Sequence, residues 1–347
     1  MSFGFGIVGL GMIAGFQAQA IEALEGGRLV ACCSRSKAKA DVFASDHGGR
    51  AYREIDSFLA DPELDIVCIC TPSGAHLEPA LRAAQAGRHL VVEKPLEITL
   101  ERCDRIIEAC AKHGVTCAGV FPSRFSEAAG LVKKAVEAGR FGRLTVADAR
   151  VKWFRSQEYY DKGGWRGTWR YDGGGALMNQ SIHAVDLLGW FMGPVAEVQA
   201  FAGTLGHERI EVEDTAVAAL RYESGAMGVI EGSTAVYPGF PKRIEISGTE
   251  GSAVLVEDAL EKWEFLRAGE EDPRIRERYA APSASGGAAA AADISFEGHR
   301  RQFADLVHAL ETGGKPRVDG VEARKAVEII LAVYESAESG TSVRLAR

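Results

Sequence analysis

The stretch Phe3-Gly4-Phe5-Gly6-Ile7-Val8-Gly9-Leu10-Gly11-Met12-Ile13-Ala14 decides the fold. It reads as a β-strand over residues 3–8 that ends in Gly9-x-Gly11-x-x-Ala14 and opens a helix. Gly9 permits the tight turn, Gly11 lets a pyrophosphate approach the backbone, and the small Ala14 allows close helix packing while the helix N-terminus faces the phosphates. A second strand at residues 28–33 follows at the spacing of a βαβ unit, and that context makes the glycines a dinucleotide-binding signature.

Outward from this unit, short runs rich in β-branched residues recur at 66–70, 89–92 and 115–120, with amphipathic stretches between them. This alternation predicts a parallel sheet flanked by helices. After Phe121-Pro122 the rhythm changes to a helix over 126–138 and longer alternating segments at 144–153, 195–205, 215–222 and 227–233. Those predict a largely antiparallel sheet with one face on helices and one face free, a free face that suits an oligomer interface. Helical spacing returns at 296–310 and 321–339 around a turn at Gly313-Gly314-Lys315-Pro316, and the alanine-rich stretch 280–292 reads as a surface loop. The expected fold is an α/β Rossmann domain over 1–122 followed by an α+β domain over 123–347 with a large, mostly antiparallel, open-faced sheet.

At 347 residues the chain has room for two cores, and its 46% hydrophobic and 25% charged composition is that of an ordinary globular protein. A net charge of −8 with no long basic run argues against nucleic-acid or anionic-membrane partners. No window approaches 18 uninterrupted apolar residues, and the sequence opens directly into a strand without a signal-peptide pattern, so a soluble, cytoplasmic protein is expected. Most of the seven cysteines (Cys32, Cys33, Cys68, Cys70 and Cys117 among them) lie in apolar runs, which suits reduced, buried thiols, and no metal site is expected.

Three further segments carry chemistry. The second strand ends in Ser34-Arg35-Ser36, with no acid to hold a ribose 2′-hydroxyl; a hydroxyl and a guanidinium accept a 2′-phosphate, so NADP is favoured, while an Arg35 facing solvent would leave NAD acceptable. Thr71-Pro72-Ser73-Gly74-Ala75-His76 and Val91-Val92-Glu93-Lys94-Pro95 follow strands whose carboxyl ends form the ligand crevice of such sheets, although position alone also fits Lys94 as a solvated loop residue. Gly173-Gly174-Gly175 leads into a helix on which Asn179, His183 and Asp186 share a face, a row suited to tuning a proton acceptor or, more plainly, to a satisfied core histidine.

In this order and at these intervals the motifs resemble the Gfo/Idh/MocA family of NAD(P)-dependent oxidoreductases, over nearly the whole chain. The resemblance implies that Lys94 is a catalytic or substrate-orienting residue, that His183 is the acid/base, and that Asn179 stands where many relatives carry Asp. It implies cofactor contacts at Gly9, Gly11, Met12, Ile13, Ala14, Ser34, Arg35, Thr71, Pro72, Ser73, His76, Glu93, Lys94, Trp165 and Arg166. Lys94, Arg155, Tyr160, Asn179 and His183 are the expected substrate contacts, since the aromatic-rich run 153–169 offers ring faces and hydrogen-bonding groups to a sugar. The implied activity is hydride transfer between a secondary hydroxyl or ketone of a sugar, sugar derivative or polyol and the nicotinamide of NAD or NADP, in a homodimer or homotetramer. Two alternatives are an NAD-dependent glycosidase that oxidises transiently and a non-catalytic NAD(P)-binding regulator; substrate identity, direction and oligomer number lie beyond the sequence.

Overall fold

A computed structural model describes residues 2–162, 164–280 and 295–345. Along the chain the elements run β1 (Phe3–Val8), α1 (Met12–Glu22), β2 (Gly27–Cys33), α2 (Lys37–His47), β3 (Arg50–Tyr52), α3 (Ile55–Leu59), β4 (Ile66–Ile69), α4 (Leu77–Gln85), β5 (His89–Val92), α5 (Leu100–His113) and β6 (Cys117–Gly119). Then follow α6 (Glu127–Glu137), β7 (Leu144–Lys152), α7 (Gln157–Asp161), a π-helical turn Ala176–Ser181, α8 (Ile182–Met192), β8 (Val195–Gly203), β9 (Thr215–Tyr222) and β10 (Met227–Ser233). The series closes with β11 (Arg243–Gly248), β12 (Gly251–Val256), β13 (Ala259–Phe265), α9 (Asp272–Arg278), α10 (Glu297–Thr312), α11 (Gly320–Ser339) and β14 (Val343–Arg344).

Residues 2–122 and 295–327 form one compact unit. Its six strands are all parallel, in the order β3-β2-β1-β4-β5-β6, a doubly wound sheet whose order reverses between β1 and β4. The central strands are buried on both faces, which explains why they read as continuous apolar runs. Sequence order grouped residues 296–310 with the second domain, whereas α10 packs on α1: Phe303, Leu306 and Val307 join Phe5, Ile7, Ala18 and Ile21 in one core cluster, and the Phe5 and Phe303 rings lie 5.7 Å apart. The reason is burial. Each such side chain removed from water contributes about 1.5–3 kcal/mol, and α1 presents its apolar stripe where α10 can cover it.

The second unit holds residues 123–280 and 328–345 of the described chain. Its eight strands run β13-β12-β11-β7-β10-β9-β8-β14, antiparallel except for the parallel pair β7 and β10. The alternation in β9 is complete: Ala216, Ala218, Leu220 and Tyr222 are buried while Val217, Ala219 and Arg221 face outward. Helix α8 covers the inner face, and Phe201 (77% exposed), Met227 (63%) and Val217 (47%) lie on the other. All seven cysteines are buried and free. The expected loop at 280–292 lies, from 281 onward, outside the described residues. No described helix is long and apolar enough to cross a membrane.

Candidate active site

The first unit builds its candidate cofactor site from backbone at strand ends. Gly9 follows β1 with φ +89°, and its N–H donates to the Cys33 carbonyl at 3.1 Å, tying the turn to the end of β2. A Cβ there would lie 2.7 Å from the Cys70 carbonyl carbon and the Thr71 nitrogen, so the position requires glycine. At Gly11 a Cβ would meet nothing within 4 Å: the space before the first turn of α1 is open. That helix carries no side-chain cap, the Ala14 N–H donating to the Gly11 carbonyl at 3.2 Å, and Ala14 is fully buried. Met12 is exposed and Ile13 half-buried at the same turn. These residues fit the pyrophosphate of a dinucleotide.

Around that cradle stand the other strand ends. Ser34 accepts from the Ser36 N–H, and Arg35 is exposed. Thr71 Oγ1 donates to the Ala75 carbonyl at 2.9 Å, closing the turn that contains Pro72 and Ser73. His76, expected at the cofactor, is instead 1% exposed, with Nε2 3.0 Å from the Thr71 carbonyl oxygen and Nδ1 2.9 Å from that of Pro95. It ties the turn after Thr71 to the loop after Lys94, and burial keeps its pKa below the ordinary value. Glu93 is likewise inside: its carboxylate accepts from Gln17 Nε2 at 2.6 Å and from the Lys94 N–H at 3.2 Å, with His299 Nε2 at 4.0 Å. Burial raises the Glu93 pKa, the neighbouring Lys94 charge opposes that rise, and burial lowers His299 to about 4. Lys94 is half-buried and joined to Pro95 by a cis peptide. Gln17 and His299 were not expected; 76 residues separate Gln17 from Glu93, and no local pattern marks such a partner.

The second unit builds its candidate substrate site from side chains. The glycine run is explained by Glu213, whose buried carboxylate accepts from the N–H groups of Gly175 and Leu177, each at 2.8 Å, and from Tyr334 at 3.0 Å. Burial pushes Glu213 up to about 7 against those three hydrogen bonds. It thereby anchors the start of the π-helical turn that carries Asn179. Asn179 Nδ2 donates to Asp172 at 2.5 Å; Gln180 Nε2 donates to Asn179 Oδ1 and to the Tyr159 hydroxyl, both at 3.0 Å; and Arg155 donates to Gln180 Oε1 at 2.9 Å.

His183 sits half-buried on the first turn of α8. Asp186, one turn on, accepts from Arg124 in a buried bidentate pair at 2.8 and 2.7 Å. Tyr160, expected at the substrate, turns inward: it is 7% exposed, its hydroxyl meets Thr234 at 2.8 Å, and burial raises its pKa to about 12. Tyr159, its neighbour on the same short helix, points in a different direction and accepts from Gln180 Nε2. The Arg166 guanidinium lies 4.6 Å from the Tyr159 ring centroid and 5.2 Å from that of Trp165.

Residues 3–121 match the oxidoreductase family with an NAD-binding Rossmann fold, and residues 131–254 match the GFO/IDH/MocA C-terminal domain. The chain is 31% identical to the uncharacterized oxidoreductase YrbE of Bacillus subtilis over 72% of each chain, and 27% identical to myo-inositol 2-dehydrogenase of Thermotoga maritima over 98% of each. Among solved structures it is similar to the WlbA dehydrogenase of Bordetella pertussis in complex with NADH and UDP-GlcNAcA, at 35% identity and a TM-score of 0.90, covering 100% of this chain and 98% of that one.

Proposed function

From the premise that this chain belongs to the GFO/IDH/MocA oxidoreductase family, we propose that it is an NAD(P)-dependent dehydrogenase or reductase of a sugar, sugar derivative or polyol. The observation that carries the reading is the open cradle at Gly9, Gly11 and the uncapped N-terminus of α1, placed at the switch point of a parallel sheet. When bound there, the nicotinamide supplies the hydride acceptor or donor. His183 takes the proton from the secondary hydroxyl as it is oxidised, its imidazole being suited to proton transfer near neutrality. Lys94, as an ammonium, stabilises negative charge developing on that oxygen. Asn179 and Arg155 hold the sugar through hydrogen bonds, with Tyr159 rather than Tyr160 beside them. The family resemblance assigns Trp165 and Arg166 to the cofactor.

Absence of an acid at Ser34-Arg35-Ser36 favours NADP over NAD. Arg35→Ala is expected to raise KM for NADP by about tenfold, the loss of one charge-assisted hydrogen bond, and to leave KM for NAD unchanged. The exposed face of the eight-stranded sheet supports a homodimer or homotetramer, and seven buried, free cysteines support a reducing compartment such as the cytoplasm. The test is absorbance at the reduced-nicotinamide band with each cofactor and a panel of aldoses, inositols, anhydrosugars and nucleotide-linked uronic acids. Turnover with one sugar class supports the assignment; tight cofactor binding with no turnover on any of them overturns it.

A further inference from the structure

We propose that Asp172 is the positioning residue of the substrate site, supplying one step further back the carboxylate that Asn179 lacks; the inference rests on the proposed dehydrogenase reading. Asp172 is 1% exposed, and its two carboxylate oxygens have separate tasks: Oδ1 accepts from Asn179 Nδ2 at 2.5 Å, and Oδ2 accepts from the Gly167 N–H at 2.8 Å. An ionised carboxylate only accepts hydrogen bonds, so the Asn179 amide must turn its NH2 toward Asp172 and its oxygen away. That oxygen accepts from Gln180 Nε2, which fixes the Gln180 amide in turn, and Gln180 Oε1 then faces the donating Arg155 guanidinium. Every amide in the row is thus oriented by the buried anion at one end and the cation at the other.

The consequence is a defined surface for a polyhydroxy substrate. Without Asp172, the amides of Asn179 and Gln180 could each present either edge, and a sugar hydroxyl would meet a mixture of donors and acceptors. With it, Arg155 is held at 2.9 Å from Gln180 and stacked over Trp153 and Tyr159, with ring centroids 5.3 and 5.5 Å away. Of the titratable groups nearby, Tyr160 feels the Asp172 charge as one of the smaller contributions to its raised pKa, and it stays protonated well above neutrality.

The chemistry allows a reciprocal exchange as the test. Asn179→Asp sets two carboxylates against each other where a donor met an acceptor, so one of them must take up a proton or the pair must separate. Adding Asp172→Asn restores the match: the amide introduced by that second substitution can keep its oxygen on the Gly167 N–H and turn its NH2 to the carboxylate at position 179, which still accepts from Gln180. For Asn179→Asp alone we expect kcat/KM to fall on the order of 100-fold at pH 8, as for a displaced substrate-holding group, with partial recovery at pH 5.5 where the pair binds a proton. Its Tm, read without substrate, should be depressed at pH 8 and less so at pH 5.5. The double variant should recover both kcat/KM and Tm and lose the added pH dependence. A double variant as impaired as Asn179→Asp, or an Asn179→Asp enzyme within twofold of the parent at pH 8, overturns the proposal. Absence of turnover in the parent enzyme would remove the dehydrogenase reading, whereas the Tm pattern decides the pairing of Asp172 with Asn179 regardless.

Discussion

The residues proposed to bind cofactor in the first unit and those proposed to face substrate in the second are built on opposite plans. In the first, the candidate surfaces are mainly backbone: the turn at Gly9, the open approach at Gly11 and the start of α1, with His76 and Glu93 bonded to neighbouring loops and to Gln17. In the second, the surfaces are side chains in series, from Asp172 through Asn179 and Gln180 to Arg155, standing on a helix start pinned by Glu213 and Arg124. A backbone site is damaged by adding an atom. A side-chain site is damaged by removing a polar group, and the damage grows with how deeply its partner is buried.

The comparison can be broken at several points. The largest effect belongs to His183→Ala, and to Lys94→Ala likewise: removing a proton acceptor or an electrostatic stabiliser should lower kcat by about 10²–10⁴-fold while a fluorescence titration of reduced cofactor gives an unchanged Kd. Near-normal turnover in either variant would remove it from the mechanism. Arg124→Met comes next. It strands the Asp186 carboxylate, whose side chain is 1% exposed, so unfolding in denaturant should show a loss of about 3–5 kcal/mol; Arg124→Met combined with Asp186→Leu should lose much less, since no charge is left buried.

Glu213 gives a pH signature. Its pKa in the folded protein, about 7, lies above the ordinary 4.5, so between these values the folded state holds a proton that the unfolded chain has released. Its contribution therefore declines as pH rises from about 4.5 to 7, by an amount on the order of 3 kcal/mol if the full shift is realised. Glu213→Gln should flatten that part of the Tm-against-pH curve; an unchanged slope would show that another group sets it. The smallest effect is expected in the backbone-built half: Gly9→Ala forces a Cβ against the Cys70–Thr71 peptide at a left-handed φ, costing about 1–3 kcal/mol in Tm-derived stability and weakening cofactor binding. If Gly9→Ala left cofactor affinity untouched, the idea of a backbone-built site would fail.

Sequence and structure agree best where the information is local. The strands at Phe3–Val8, His89–Val92, Thr215–Tyr222 and Met227–Ser233 coincide with their expected ranges, and Ser126 caps α6 through the Ala129 N–H where the helix was expected to start. The strands β3 and β14, of three and two residues, are too short to show a period, and neither they nor β11, β12 and β13 were foreseen. The row Asn179, His183, Asp186 was legible as a spacing, but its partners were not: Asp186 goes to Arg124, 62 residues away, and Asn179 to Asp172 across the glycine turn.

By itself the sequence determined the parallel sheet, the presence of a second, mostly antiparallel one and the family, because strand and helix periodicity, glycine dihedrals and turn chemistry act over a few residues. Only the tertiary structure decided that α10 returns to the first unit, that Glu93 pairs with Gln17 and His76 with the Pro95 carbonyl, that Tyr159 and not Tyr160 meets Gln180, and that Asn179 donates to Asp172. Those outcomes turn on which buried polar groups find partners, and a buried donor or acceptor is satisfied by whatever packing brings near, however distant in sequence.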